Sequence, residues 1–532
     1  MIRKLLNGQT KTITAAAVII GLASLVSRLL GVLRDRVLAG EFGAGPELDM
    51  YYAAFRIPDL VFNLIVLGAL SAGFIPIFTS YLKNKKEAWE LVNITTNVLT
   101  IALLLLTGLL LLLTPWLMKV ITPGFGPEQL AVTTRLARIM FLSPILLGIS
   151  AIWGSVLQSL KQFFIYSLAP IVYNVGIIIG ALFFVPTLGV YGLAWGVVLG
   201  AGLHMLIQLP PVLYLGYRYH PAIDLQHRGF RKIMSMMLPR TLGLVTSQIN
   251  FLVTTIIGST LAAGSITVFN LANNLQSFPL GIFGISLAIA AFPTLSELTE
   301  KKKDFIRVFS ATTRQILFFM IPTAALLIVL RAQIVRLVLG AGRFDWEDTV
   351  LTLQTLSLFA FSLFAQALIL LLIRAFYAFG DSKTPFVTGL IAAFANVMLA
   401  LMLVEPLGVR GLALAFSLAS ILNFILLWLM LYSRLGSLDG RKILRSTGKI
   451  LIATFMLALV TQATKYLIEP LVGTETFLAV TTQAVLAALA GSATYLVIGW
   501  LLRLEELTYI IDSFRQKLLK KPPVIIESIE NE

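Results

Sequence analysis

The chain has 532 residues, of which 58% are hydrophobic and only 13% charged, about half the charged share of an ordinary soluble protein. A mean hydropathy of +0.90 over the whole length leaves too little polar surface to cover a globule in water, so lipid is the expected solvent for most of the chain. There is no cysteine, and the three histidines are His204, His220 and His227; disulfides and thiolate chemistry are excluded, and a clustered zinc site nearly so. The net charge of +15 would suggest nucleic acid for a soluble protein. In a membrane protein, basic residues that orient helices give the same excess, so membrane lipid and not nucleic acid is the expected partner.

Apolar runs long enough to cross a bilayer, cut at charge clusters and Pro/Gly turns, number fourteen. In chain order they lie at 13–33, 51–78, 91–121, 137–160, 164–186, 190–217, 236–262, 266–295, 315–339, 350–377, 384–404, 408–433, 447–468 and 476–502. Further spans follow the first run directly, so it is expected to be retained and not removed as a signal peptide. With both termini in the cytoplasm, 29 basic residues fall inside and 10 outside, while Arg28 and Arg56 lie within spans. A missed or extra span would scramble that alternation.

An internal repeat is visible. LGVYGLAWGVVLGA (Leu188–Ala201) returns as LGVRGLALAFSLAS (Leu407–Ser420), an offset of 219, and AGFIPIF (Ala72–Phe78) has a weaker echo in AAFPTL (Ala290–Leu295). Two units of six spans each enter the membrane from the same side, because six is even, and so form parallel repeats. The expected organisation is an all-α polytopic membrane protein. An N-lobe occupies 1–217, a C-lobe 218–433, two further spans 434–503 and a cytoplasmic tail 504–532. Two facing lobes suggest a transporter with a central site.

Arg28 lies in the apolar run TITAAAVIIGLASLVSRLLGVL, where an unpaired charge costs about 2.5 to 3.5 kcal/mol on insertion scales. It should therefore face a cavity. Ser24, Arg28, Gly31 and Asp35 are spaced i, i+4, i+7, i+11 and share one helical stripe. Arg56 sits near the start of the second span, with Pro58 two residues on to bend the helix and free backbone groups. The competing reading is that both arginines snorkel to an interface. Arg34, Asp35, Glu41, Glu47 and Asp49 are expected just outside the first span, either as a solvated loop or, with Arg28 and Arg56, as a set suited to phosphate or carboxylate groups. Asp381 in RAFYAFGDSKTP and Asp348 in GAGRFDWEDT read as helix caps, and His204 as a hydrogen-bonded core histidine. No P-loop, GxGxxG, HExxH or Ser/His/Asp pattern occurs. A transporter powered by a gradient or the membrane potential fits better than an enzyme or an ATP-driven pump.

Four segments carry a resemblance: SRLLGVLRDRVLAGEFGAG (Ser27–Gly45), DMYYAAFRIPDL (Asp49–Leu60), GALSAGFIPIF (Gly68–Phe78) and RAFYAFGDSKTP (Arg374–Pro385). In order and over the full length they resemble the MurJ (MviN) family of lipid II flippases, within the multidrug/oligosaccharidyl-lipid/polysaccharide exporter superfamily. The resemblance implies outward movement of an undecaprenyl-diphosphate-linked peptidoglycan precursor across the bacterial cytoplasmic membrane by alternating access. It implies a tail groove bordered by the last two spans. It also implies cavity roles for Arg28, Arg34 and Arg56 and acidic partners in Asp35 and Asp49; Ser24 joins the expected substrate-binding set through its place on the Arg28 stripe. Asn274 stands where many members carry an arginine on the eighth span. Acidic sodium ligands of the family's seventh and eleventh spans have no counterpart here; Asn250, Thr254 and Asn396 are the candidate sodium ligands left, and no cofactor is expected. Coupling to membrane potential is therefore expected over stoichiometric sodium. The protein should be monomeric, with cell-wall synthesis proteins as candidate partners. Rival readings are an exporter of another lipid-linked oligosaccharide or amphipathic compound, or a scaffold without transport.

The topology is testable because the chain has no cysteine of its own. Single cysteines at Lys85, Lys302 and Gly440 should resist an impermeant reagent added outside, and one at Gly126 should react. The opposite labelling pattern would overturn the orientation.

Overall fold

In hydrocarbon a backbone N–H or C=O has no water to bond, so an apolar run must satisfy its own peptide groups, which a helix does. The computed structural model describes residues 13–67, 70–509 and 512, with the side chains of 18–64, 73–237, 248–509 and 512; among these residues there is no strand. The helices are α1 (Ile13–Phe42), α2 (Pro46–Val61), α3 (Leu70–Tyr81), α4 (Lys85–Ile121), α5 (Pro127–Ser159), α6 (Phe163–Leu188), α7 (Tyr191–Tyr214), α8 (Arg228–Ser259) and α9 (Ser265–Glu297). They continue as α10 (Lys302–Val329), α11 (Arg331–Val338), α12 (Trp346–Ala360), α13 (Leu363–Ala378), α14 (Lys383–Leu407), α15 (Val409–Leu435), α16 (Gly440–Val472) and α17 (Phe477–Leu501).

Among the described residues ten helices are long and apolar enough to cross a membrane, and α12 with α13, bent by 45° at their break, makes an eleventh. The sequence runs at 13–33, 51–78 and 236–262 lie on α1, on α2 with α3, and on α8, outside that count. A π-helical turn at Phe62–Leu67 divides the second of them. Another π turn opens at Leu280 inside α9, 218 residues after the one at Phe62, close to the offset of the sequence repeat.

Two boundaries correct the sequence reading. The first span was expected to end at 33, with Arg34 and Asp35 in an outer loop, but α1 runs on to Phe42. Charge ends an apolar run without ending a helix; α1 stops only at Gly43, which takes φ +67 as a left-handed C-terminal cap. The cap of α12 is Asp345, whose Oδ1 accepts from the Asp348 N–H at 2.9 Å. Asp348 itself lies in the first turn of α12 and accepts from the Ala44 N–H at 2.8 Å. Asp381 does cap α14, accepting from the Thr384 N–H at 3.0 Å and the Thr384 hydroxyl at 2.8 Å.

The chain packs as two compact units. Among the described residues, one comprises those up to Asn274 with Val338–Thr352 and Ala393–Ala415; the other comprises Leu275–Leu337, Leu353–Ala392 and those from Phe416 on. In the first, α6 and α7 cross with backbone against backbone. A Cβ on Gly176 would overlap Gly200 Cα, one on Gly180 would overlap Gly196 Cα, and one on Gly196 would stand 2.7 Å from Gly180 Cα. Small residues replace the hydrophobic effect as the means of bringing membrane helices together, since lipid is as apolar as leucine.

In the second unit α16 and α17 are tied along the length of α10. Arg314 donates to Glu505 at 2.7 Å and Glu506 at 2.9 Å, and Ser446 donates to Glu506 at 3.0 Å. The Arg314 hydrogen bond holds the Glu505 carboxyl below its ordinary value. Further along, the Tyr495 hydroxyl donates to the Phe318 carbonyl at 2.8 Å. At the far end, Lys465 Nζ donates to the Val329 carbonyl at 2.9 Å, and Gln333 donates to Gln483 at 2.8 Å.

The glycine crossing gives a stability prediction. Gly180→Ala and Gly196→Ala should each cost about 1 to 3 kcal/mol, as overpacking does, and lower the Tm of the detergent-purified protein. Gly202→Ala, where the added carbon meets nothing within 4 Å, should leave it unchanged. Equal Tm values for all three would refute close packing at the crossing.

Candidate functional site

The first unit gathers the charged residues of α1 and α2 against one face of α9. Asp35, 4% exposed, accepts from Arg34 Nε at 3.0 Å and Nη2 at 2.8 Å on its Oδ1, and from Asn274 Nδ2 at 2.9 Å on its Oδ2. Arg34 also donates from Nη1 to Asn174 Oδ1 at 3.2 Å. Gly31, one turn before Asp35, has no side chain to keep Asn174 away. The result is a continuous line Asn174, Arg34, Asp35, Asn274, in which a buried carboxylate has both oxygens engaged.

Arg56 is held differently. Its Nε donates to the Thr255 hydroxyl and its Nη2 to Asn270 Oδ1, each at 2.7 Å, and its guanidinium lies 5.4 Å from the centroid of the Phe251 ring. None of the ion pairs within 4.0 Å among the described residues includes it. Neutral acceptors orient the fork; the Asp59 carboxylate, three residues on, attracts it but does not close an ion pair, so the guanidinium keeps donors available to an anion.

Asp49 is an N-cap at a distance. Its Oδ2 accepts from the Gly264 N–H, and its Oδ1 from the Thr267 N–H and hydroxyl, all at 2.7 Å, meeting the orphan amides at the start of α9. Gly264, at φ +90, lies close against the Ala44 carbonyl. Beside this, the Arg343 N–H donates to the Gly40 carbonyl at 2.8 Å, and Asp348 receives the Ala44 N–H. Carboxylates and main chain thus clasp the turn between α1 and α2 to the loops that precede α9 and α12.

Thr267, Asn270 and Asn274 recur at i, i+3 and i+7 on α9, one helical face, and receive Asp49, Arg56 and Asp35 respectively. The sequence reading named only Asn274 of these three, and also missed Asn174, Phe251 and Thr255. The polar period within an apolar helix was the signal available. Ser24 is exposed and Arg28 half-buried; neither joins this network, and among the described residues no hydrogen bond or ion pair engages Arg28.

Asn250 and Asn396 do meet: Asn396 Nδ2 donates to Asn250 Oδ1 at 3.3 Å. Thr254 spends its hydroxyl on the Asn250 carbonyl at 2.9 Å. This is an amide pair joining two helices, with no carboxylate among its donors, and it does not fit the charge a hard cation asks for. No group of three His, Cys, Asp or Glu suited to a metal occurs among the described residues. His204 is hydrogen-bonded, its Nδ1 2.7 Å from the Ser150 hydroxyl, which also receives Gln208 Nε2 at 2.6 Å.

Comparison with known proteins places this arrangement. Residues 38–482 match the family model described as lipid II flippase MurJ. A probable lipid II flippase MurJ of Buchnera aphidicola subsp. Acyrthosiphon pisum is 31% identical over 425 residues, covering 78% of this chain and 83% of that relative. One from Rhizobium tropici is 29% identical over 530 residues, covering 95% and 96%. Among solved structures, a lipid II flippase MurJ in an inward closed conformation matches with a TM-score of 0.75 at 25% identity, over 91% of this chain and 98% of that one. An inward-facing multidrug resistance transporter of the MATE family, at 14% identity and a TM-score of 0.65, shares the fold. With the family model spanning most of its length, the chain belongs to the lipid II flippase MurJ family, a family of multi-pass transporters of the bacterial inner membrane.

Proposed function

We propose that this chain moves lipid II, the undecaprenyl-diphosphate-linked peptidoglycan precursor, from the inner to the outer leaflet by alternating access. The observation that carries the reading is Arg56, a half-buried guanidinium oriented by Thr255, Asn270 and the Phe251 ring, with Asp59 acting on it from three residues on but making no ion pair with it within 4.0 Å among the described residues. Such a charge is costly in lipid unless an anionic ligand uses it. Arg28, half-buried and without a hydrogen bond or ion pair among the described residues, is its natural companion, and Arg34 lies balanced on Asp35.

The topology we propose is fourteen spans with both termini in the cytoplasm, in two six-span lobes at 1–217 and 218–433 with two further spans to 503. The charge bias and the sequence repeat support it. The tail of the substrate would lie along the last two spans. The protein would act as a monomer, with cell-wall synthesis proteins near it. Outward opening would require release of the hydrogen bonds that clasp Gly40, Ala44 and Asp49 to the loops before α9 and α12.

Losing a charge-assisted pair costs about 1.5 to 3 kcal/mol. Arg28→Ala and Arg56→Ala should therefore lower lipid II transport roughly 10- to 100-fold and fail to rescue cells depleted of their flippase, at normal protein levels. Lysine should rescue only in part, since it keeps the charge and loses the fork. Normal growth with both alanine variants would make these arginines structural. Asn274→Arg should be tolerated, because Asp35 already faces position 274 at 2.9 Å.

The proposed energy source is the membrane potential. A diphosphate carries about two negative charges, and each is worth about 2.3 kcal/mol per 100 mV on moving outward, so the potential supplies roughly 4 to 5 kcal/mol. In proteoliposomes a potassium/valinomycin potential should change the rate or direction of lipid II movement, while a sodium gradient at zero potential should not. A strict sodium requirement would reassign Asn250, Thr254 and Asn396 as ligands, the unpartnered Asn396 Oδ1 first.

A further inference from the structure

Helix α16 has 33 residues, about 50 Å at 1.5 Å per residue, against a hydrocarbon core of about 30 Å. The surplus is at its beginning, Gly440–Ile450, before the exposed apolar stretch that starts at Leu451. Its two faces separate cleanly. Ile443, Ser446, Ile450, Ala453 and Leu457 are buried within the second unit. On the opposite face Leu451, Ile452 and Phe455 are 53%, 56% and 64% exposed, the lipid-facing side of a membrane helix. Continued back by helical period, that side carries Arg441, Leu444 and Arg445 in the overhang. All three are exposed, Leu444 at 73%.

The basic residues of the overhang divide into two sets. Lys442 and Lys449 feel the Glu505 carboxylate, and Lys449 donates to the Arg503 carbonyl at 3.3 Å; they belong to the ties with α17. Arg441 and Arg445, one turn apart, have no carboxylate within 4.0 Å among the described residues. The nearest acid in the chain, Asp439, is engaged by the Ser310 hydroxyl at 2.9 Å. Between the arginines and the apolar face lies Gly448, where an added Cβ would meet nothing within 4 Å. Glycine within a helix is disfavoured against alanine, and no neighbour approaches here to require it. It leaves a shallow notch on the same face, one turn after Arg445 and two after Arg441, and one turn before Leu451 and Ile452.

We propose that this end of α16 is a docking site for one acidic glycerophospholipid of the inner leaflet. Arg441 and Arg445 hold its phosphodiester, the notch at Gly448 seats the glycerol, and its acyl chains run up past Leu451, Ile452 and Phe455. Guanidinium suits a phosphodiester as a fork and sits at headgroup depth, where an anionic surface attracts basic residues most strongly. The leaflet assignment rests on the proposed cytoplasmic start of α16, which the Gly440 cysteine tests separately.

The test is native mass spectrometry of the full chain from micelles holding equal parts phosphatidylglycerol and phosphatidylcholine. The wild type should retain phosphatidylglycerol preferentially. Arg441→Gln and Arg445→Gln should each weaken retention roughly fivefold, the worth of one basic residue near an acidic surface. Gly448→Leu should weaken it with no change of charge, and the pair Lys442→Gln/Lys449→Gln should leave it largely intact. Undiminished retention by the double arginine variant with an unchanged Tm would overturn the site. So would an equal loss in the lysine pair, which would mean general surface charge. Displacement of the retained lipid by equimolar undecaprenyl diphosphate would make this face a substrate-loading surface and overturn the phospholipid assignment.

Discussion

The first unit depends on a carboxylate that could not stand alone in lipid. Asp35 is buried, and an unmatched ion there would cost more than a marginally stable fold can spare. Arg34 answers its charge and Asn274 its second oxygen. Because those two partners come from α1 itself and from α9, electrostatic neutrality and helix position are fixed by the same hydrogen bonds. Arg56, one turn of α9 away through Asn270, can then be left charged without destabilising the array, since geometry there is set by amide and hydroxyl oxygens.

Elsewhere the fold holds together by means suited to a medium without a hydrophobic effect between helices. Where α6 meets α7, absence of side chains does the work, backbone lying on backbone at four glycines. Where α16 and α17 meet α10, polar groups do it, and the Lys465 ammonium on the Val329 carbonyl also places a cation at a helix C-terminus, where the dipole favours it. Both devices avoid burying an unpartnered charge.

Much of this was legible in the residues. Among the described residues the apolar runs lie mainly on helix, the capping by Asp381 follows from its place before Thr384, and the four motif segments carry the family. What escaped was of two kinds. Charge is not a helix boundary: α1 continues through Arg34 and Asp35 and stops where its geometry changes sign at Gly43, not where its polarity does. The cap of α12 was misassigned for a related reason, since Asp345 and Asp348 are equally good capping residues in sequence and only the helix start at Trp346 separates them. The partners of Arg56 escaped because asparagine and threonine in an apolar helix mark a contact without naming the other side. Thr255 and Asn270 lie 199 and 214 residues from Arg56, beyond any local pattern.

The clasp of the turn between α1 and α2 is made through main-chain groups: the N–H of Ala44, Gly264, Thr267 and Arg343, and the carbonyl of Gly40. Only Asp49 and Asp348, with the Thr267 hydroxyl, contribute side chains. Such a fastening is largely indifferent to the identity of the residues around it. Substituting Ala44 or Arg343 changes neither amide, and the sequence there can drift while the hydrogen bonds persist. For an inhibitor the same property narrows the routes of escape. A compound that braced those amides and carbonyls directly would grip the part of the protein that point mutation alters least, leaving two aspartates and the glycine turns as the positions through which resistance could arise.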